Sequence, residues 1–217
     1  MFVSLRIITL PPDSVDRQAG LATALEDAAT ALPGLRSSWV APVSPVAVIN
    51  AGHVVWRATF ASEAEALAAP ATPAWRTSVA TLLAGSSITT VGYQVTRSTS
   101  REAGRGIWRA LVFRVLPNSP SQAAAELEEA TLLLPRYVPE IRAWALSRIS
   151  TVEGPKAYTH VWEQEFDDLQ ALTGPYMRTP VHYGLVDGWF DAEYPQYIVD
   201  PHVIQVVGDI ADTIIAR

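Results

Sequence analysis

His53-Val-Val-Trp-Arg-Ala-Thr-Phe60 and Thr159-His-Val-Trp-Glu-Gln-Glu-Phe166 read as one strand written twice. Shifting the chain against itself by 106 residues puts Trp56 on Trp162 and Phe60 on Phe166. The same shift puts Leu5 on Leu111, Leu10-Pro11 on Leu116-Pro117, Leu21 on Leu127, Pro33 on Pro139 and Arg36 on Arg142, without a gap. One added residue brings Thr72-Pro73 onto Thr179-Pro180. Alanine matches alone carry little weight in an alanine-rich chain. Paired Trp, Phe and Pro matches at one offset mark an internal duplication.

Each copy follows the same order. A strand opens it, from Phe2 to Leu10 and from Ile107 to Leu116. Helix-start signals follow at Ser14 and at Ser119-Pro120. Apolar residues at helical spacing predict a first helix through Leu21, Leu25, Ala28 and Leu32, and again through Leu127, Ala130 and Leu134. It stops at Pro33 in one copy and within Pro135 to Pro139 in the other. Second strands are predicted over 36–43 and 142–149, third strands over 53–60 and 159–166. A second helix broken by a Pro turn and a fourth strand close each unit. The order β-α-β-β-α-β is the split ferredoxin-like arrangement, so the fold class is α+β. Such a unit has helices on one sheet face only, and its other face needs a cover. Two copies supply each other's cover, which predicts a dimeric α+β barrel closed within one chain. The expected divisions are a first repeat over 1–96, a polar, glycine-containing linker over 97–106, and a second repeat over 107–217.

Composition narrows the function. Apolar residues make up 49% and charged residues 18% of the 217 residues, ample for a core and unlike a disordered chain. The net charge is −6 and the basic residues are scattered, so no nucleic-acid surface is expected. There is no cysteine, which excludes disulfides, thiolate metal sites and a cysteine nucleophile. Met1-Phe2-Val3-Ser4-Leu5-Arg6 runs straight into a strand pattern without the features of a secretory signal, and no apolar run has the length of a membrane span. A cytoplasmic protein is expected, and heavy use of Ala and of Arg over Lys points to a bacterial genome. No His-x-x-x-His or dense His/carboxylate cluster stands out, so neither a metal nor another cofactor is expected.

Thr179-Pro180 reads as a helix N-cap followed by proline at the first helical position. His182 then falls in the first turn, where the helix dipole disfavours imidazolium and leaves a neutral base. Tyr176 precedes the turn and can face the same cavity, with a hydroxyl to donate to a carbonyl oxygen. The bland alternative is a helix-start histidine bonded to backbone beside a core tyrosine. His160 lies mid-strand beside Trp162, and strict alternation puts Glu163 and Glu165 on the opposite face from it. His53 reads as a surface residue and His202 as a loop or strand-edge residue. Tyr176, Tyr183, Trp189, Phe190, Tyr194 and Tyr197 crowd the end of the second copy, and some of them suit an apolar small-molecule pocket.

The second copy resembles the stress-responsive A/B barrel family. Three stretches carry the resemblance: Arg109-Ala-Leu-Val-Phe-Arg-Val115, Tyr158-Thr-His-Val-Trp-Glu-Gln-Glu-Phe166 and Tyr176-Met-Arg-Thr-Pro-Val-His182. The last is similar to the family's Tyr-x-x-His-Pro-x-His segment. Family members of the olivetolic acid cyclase type are polyketide cyclases, which close a poly-β-keto chain by intramolecular aldol condensation. The resemblance implies His182 and Tyr176 as catalytic residues. The candidate substrate-binding residues are Arg109, His160, Trp162, Thr179 and Tyr183, and the resemblance implies a small hydrophobic carbonyl compound as substrate. The sequence departs from the pattern at Thr179 and Arg109, where the family has histidine. The family's first-helix tyrosine falls on or near Thr131. Arg109 is left to pair with a substrate carboxylate or phosphate, or with a neighbouring acid. In the first copy Trp75 stands where His182 stands in the second, so that half is read as a degenerate partner. A non-catalytic ligand-binding or structural barrel is the alternative function, and a further homodimer of such chains is compatible with either.

Overall fold

Alternation along the first strand, β1 (Phe2–Thr9), sends Val3, Leu5 and Ile7 to one face and Phe2 and Ile8 to the other. Both faces are buried, because helices cover one and the second repeat covers the other. A computed structural model describes residues 1–100 and 104–215. After β1 come α1 (Gln18–Ala29), β2 (Leu35–Pro42), β3 (Val54–Phe60), α2 (Glu63–Ala68), α3 (Ala80–Leu82) and β4 (Ser87–Gln94). A short strand, β5 (Arg97–Ser100), precedes the second repeat. That repeat holds β6 (Gly106–Phe113), α4 (Ser121–Tyr137), β7 (Ala143–Glu153), β8 (His160–Phe166), α5 (Leu169–Ala171), α6 (Pro180–Leu185) and β9 (Ile204–Ile210).

The strands form one sheet in the order β2-β3-β1-β4-β7-β8-β6-β9, with β5 added on β7. Each half has the ferredoxin-like order, and the pairings are antiparallel. The halves join twice. At one seam β4 pairs with β7, where a Cβ on Gly92 would stand 2.2 Å from Thr151 Oγ1 and would have to displace it. At the other, the Ser44 N–H donates to the Val207 carbonyl at 2.8 Å, and Ile49 and Gln205 exchange backbone hydrogen bonds at 2.9 and 2.8 Å. The path thereby closes into a dimeric α+β barrel within one chain. Its shared core takes Val3, Leu5, Val55 and Tyr93 from the first repeat and Trp108, Val112, Val161 and Val206 from the second. Helix-side cores are separate for each repeat.

Val55 and Val161 face the shared core, so alternation carries Arg57 and Glu163 into it too. Arg57 Nε and Glu163 Oε1 lie 2.7 Å apart, with side chains 1% and 0% exposed. These two residues are repeat-equivalent positions, 106 residues apart. Trp108 Nε1 donates to the same carboxylate oxygen at 3.1 Å. Arg57 Nη1 donates to the Ile214 carbonyl at 2.9 Å, and Glu165 Oε1 accepts from the Ile214 and Ile215 amides at 2.7 and 3.0 Å. The segment after β9 thus docks onto the core's buried charges.

Four features differ from the sequence reading. First, Leu5 pairs with Arg57 on β3, whereas Ala110 pairs with Glu163 on β8. The 106-residue offset that holds for β3 and β8 is one residue too long for β1 and β6, and a one-residue slip exchanges sheet faces. Leu5 therefore enters the shared core while Leu111 faces the helices, although the two leucines align. Second, the stretch 97–106 is not simply a linker, because Arg97–Ser100 pairs with Ala143–Leu146 of β7. Arg101, Glu102 and Ala103 of that stretch lie outside the described residues. Arg142 then holds the Gly104 and Arg105 carbonyls at 2.6 and 2.8 Å. Third, α1 ends at Ala29, before Pro33; α4 ends at Tyr137, within the expected 135–139, with Pro135 inside its last turn. Fourth, the second helical regions include π-helical turns at Trp75–Val79 and Leu172–Tyr176. Ser62 and Asp168 cap their starts at equivalent positions, accepting from the Glu65 and Ala171 amides at 3.2 and 2.8 Å.

Two outcomes follow for stability. Residues 1–100 and 105–217 produced separately will each lack a cooperative monomeric melt, because each sheet exposes its half of the shared core. Circular dichroism melts with size-exclusion chromatography test this; two monomeric, cooperatively melting fragments contradict the shared barrel. Glu163→Gln will destabilise the full chain by roughly 3–5 kcal/mol in urea unfolding, since it leaves the Arg57 charge buried without its counter-ion. Replacing both residues with methionine will cost less than the single change.

Candidate active site

The odd residues of β6 and the even residues of β8 face the helices of the second repeat, and Arg109, Leu111, Phe113, Trp162 and Gln164 share this side. Gln205 on β9 joins them. Between this surface and the helices lies a cavity of about 280 Å³. Leu111, Phe113, Trp162, Phe190 and Val203 give it apolar walls; Arg109, Thr131, Tyr176, His182, Asp187 and Gln205 bring polar groups to it. Ile49 also lines it, so a loop of the first repeat forms part of the mouth. That loop has left-handed backbone at Ala47 (φ 60°) and Asn50 (φ 50°) and is tied down by Gln205 Nε2, which donates to the Ala47 carbonyl at 2.7 Å, and by Asn50 Nδ2, which donates to the Val203 carbonyl at 2.9 Å.

Arg109 is 3% exposed. Its Nε donates to Gln205 Oε1 at 3.0 Å and its Nη2 bonds the same oxygen. Its Nη1 bonds Gln164 Oε1 and reaches the Tyr176 hydroxyl at 3.3 Å. The guanidinium also lies 5.3 Å from the Tyr176 ring centre. Among the described residues its hydrogen-bond partners are amide and phenol oxygens, not carboxylates. Burial lowers its pKa, yet arginine stays charged in proteins. Among the described residues, no carboxylate pairs with this cation of the cavity wall.

Tyr176 ends the π-helical turn Leu172–Tyr176, which Pro175 interrupts, and its side chain is buried. Thr179 caps α6, its hydroxyl accepting from the Val181 amide at 3.3 Å, and Pro180 follows. His182 is then 8% exposed, and its ring meets the Tyr176 ring edge-on at 4.8 Å between centres. Burial first, and the Arg109 charge second, push the His182 pKa down from 6.5 to about 4. Asp187 Oδ1 stands 3.0 Å from Nδ1. It lies off hydrogen-bond alignment, so that nitrogen has no partner among the described residues. Burial and then Asp191 raise the Asp187 pKa. Both shifts run against an ion pair, and the resting imidazole is neutral near pH 7.

Arg109, Trp162, Tyr176 and His182 therefore meet at one cavity. His160, Thr179 and Tyr183 do not line it. The His160 ring stacks on Phe113 and lies between Thr159 Oγ1 at 2.7 Å and Glu128 Oε1 at 3.1 Å. Burial lowers its pKa against the pull of Glu128. Thr179 acts as the cap, and Tyr183 is 57% exposed. Of the aromatic cluster, Tyr176 and Phe190 reach the cavity and Tyr194 is exposed. His53 is half-buried rather than on the surface, its Nδ1 accepting from the Leu10 amide at 2.9 Å. His202 is exposed and pairs with Asp200 at 3.0 Å. Sequence reasoning missed Gln164, Gln205, Asp187 and Ile49. The signal for the first two is an amide at a helix-facing strand position otherwise filled by apolar groups. In the first repeat the corresponding space is occupied: Trp75 stacks on Trp56 at 5.6 Å between ring centres, and the Arg6 guanidinium lies 4.8 and 4.7 Å from the two rings. Among the described residues no group of three or more His, Cys, Asp or Glu is arranged to hold a metal ion, and no helix is long and apolar enough to cross a membrane.

Residues 107–213 match the family model described as Stress responsive A/B Barrel Domain. No curated protein matches the chain. Among solved structures, an anthrone oxidase-like protein superposes with a TM-score of 0.73 at 14% identity, over 98% of this chain and 92% of that one. A candidate monooxygenase of Fusobacterium nucleatum gives 0.60 at 5% identity, over 97% and 93%. One of Lactobacillus acidophilus gives 0.54 at 10% identity, over 97% and 98%. At these identities the likeness is one of fold. It extends over both repeats.

The His182 environment sets a pH dependence of stability. The unfolded chain binds a proton near pH 6.5 and the folded chain only near 4. Folded stability is therefore complete above 6.5 and falls as pH drops toward 4, by on the order of 3 kcal/mol at about 1.4 kcal/mol per pKa unit. His182→Asn will flatten this part of the curve in thermal melts at pH 7, 6, 5 and 4. Identical pH dependence in variant and parent would contradict the depressed value.

Proposed function

We propose that the second repeat, which belongs to the stress responsive A/B barrel domain family over residues 107–213, is the catalytic half of a small-molecule enzyme acting on an enolisable carbonyl compound. The supporting observation is the convergence of Arg109, Tyr176 and His182 on one apolar-walled cavity. In this reading His182 removes a proton from the carbon next to a carbonyl. The electron pair moves onto the carbonyl oxygen, and the enolate is held by the Tyr176 hydroxyl and the Arg109 charge. Tyr176 accepts from Arg109, which leaves its own hydrogen free to donate.

The reaction class is polyketide-cyclase-like. The enolate carbon attacks a second carbonyl carbon of the same chain and forms the ring bond. The resulting alkoxide recovers the proton from the His182 imidazolium, so atoms and charge balance. A cavity of about 280 Å³ suits a linear chain of modest length folded on itself. A second reading draws on the neighbour named anthrone oxidase-like protein. Anthrone is an aromatic ketone with an acidic CH₂, and the same base and donors would generate its anion for reaction with dioxygen.

Heptane-2,6-dione tests the first reading, because its intramolecular aldol closure gives a six-membered ring that gas chromatography detects. His182→Ala will lower the rate of closure by about 10²–10⁴-fold, the usual contribution of a positioned base. Tyr176→Phe will lower it by about 10- to 10³-fold. An undiminished rate in His182→Ala removes this mechanism. Oxygen uptake with anthrone, sensitive to the same substitution, would favour the second reading.

A further inference from the structure

Resting on that reading of the cavity, we infer that its ligand carries a single carboxylate and that Arg109 is the residue that binds it. A guanidinium has five N–H donors. Arg109 uses four of them, two on Gln205, one on Gln164 and one on the Tyr176 hydroxyl at 3.3 Å. One Nη2 N–H remains, and the long Tyr176 contact is the easiest to exchange. A carboxylate oxygen placed beside them would complete the set with charge-assisted bonds.

The energetics favour an anion. A buried charge without a counter-ion is costly, and amide and phenol oxygens supply only partial negative charge. Gln164 and Gln205 aim the guanidinium without neutralising it. A carboxylate at either position would have cancelled the charge within the protein. Further unused donors lie on the same side of the sheet. The indole N–H of Trp162, a lining residue, and the Nε2 of Gln164 are both buried and without a partner among the described residues.

The charge count sets the class of anion. Arg109 is the only Lys or Arg among the residues that line the cavity, and Asp187 also lines it. A phosphate dianion would be left with an uncompensated charge beside that acid. A monocarboxylate matches the single Arg109 charge, and burial raises the pKa of the Asp187 acid lining the same cavity. The apolar walls, Leu111, Phe113, Trp162 and Phe190, then suit an aliphatic or aromatic keto acid.

Binding to the intact protein tests this, with 5-oxo-5-phenylpentanoate compared against its primary amide, followed by calorimetry at pH 7. The acid will bind about 10- to 100-fold more tightly than the amide, the worth of a hydrogen-bonded ion contact. Inorganic phosphate will not compete. In Arg109→Gln the ratio will collapse toward one, while Arg109→Lys, which keeps the charge, will retain a preference for the acid. The comparison in the parent protein stands even where a variant fails to fold. Equal affinity for acid and amide in the parent overturns the inference. So does competition by phosphate, or a preference that survives in folded Arg109→Gln. Loss of diketone closure with the acid preference intact would count against the proposed catalysis and leave this assignment standing.

Discussion

The pair Arg57–Glu163 ties the molecule together across its centre. The two residues hold equivalent places in the two repeats, so a dimer of identical chains would put like charges there. Fusing the copies into one chain lets the two positions diverge into opposite charges. Burial of both groups is expensive, and their mutual attraction offsets it only with good geometry and further hydrogen bonds. Those bonds come from Trp108 and from the backbone of Ile214. Glu165, next on the same face, is met by the Ile214 and Ile215 amides. The barrel interior, the opposed repeats and the chain segment after β9 therefore depend on one charge arrangement, which specifies how the halves face each other more than it adds net stability.

The same freedom to diverge shapes the helix-facing sides. Trp56 and Trp162 occupy equivalent positions, yet one is covered by Trp75 and Arg6 while the other looks onto a cavity. The stack in the first repeat presents aromatic faces to a buried cation. The second repeat surrounds its cation with amides and a phenol. The first repeat also contributes beyond its own core, because its loop through Ala47 and Ile49 reaches the cavity mouth. Gln205 couples the two, accepting from Arg109 through its oxygen and donating to Ala47 through its nitrogen. Its backbone meanwhile pairs with Ile49 at the closing seam.

The duplication, the ferredoxin-like order and the pairing of sheet on sheet were legible because Trp, Phe and Pro are rare enough to mark a register. The β1 register was not, because leucine serves both faces of a doubly buried strand. Leu5 and Leu111 match as letters and point opposite ways. The helix-start grammar of Thr179-Pro180 located His182 correctly in its first turn. Local grammar says nothing of what faces a side chain across the sheet. Gln164 and Gln205 lie 41 residues apart in sequence and become neighbours of Arg109 only through strand pairing with β6. His160 likewise takes Glu128 from α4, a partner that no strand periodicity could supply.

A resting pKa near 4 at first reads against His182 as a base, since a base works best with a pKa near the operating pH. Burial is the first cause of that value, and the charge on Arg109 the second. In the proposed reaction the cation repels an imidazolium, but it attracts the enolate that would form with it. Proton transfer turns a neutral pair beside a cation into an anion set between two cations, with the Asp187 carboxylate already 3.0 Å from one ring nitrogen. On the proposed mechanism the guanidinium would lower the basicity of both His182 and the substrate anion, and the equilibrium would depend on the difference between the two. A carboxylate on the ligand would shift that difference again, by screening the cation from the imidazole. The low resting value leaves the imidazole unprotonated near pH 7, and on the proposed mechanism the occupied site would set its working strength.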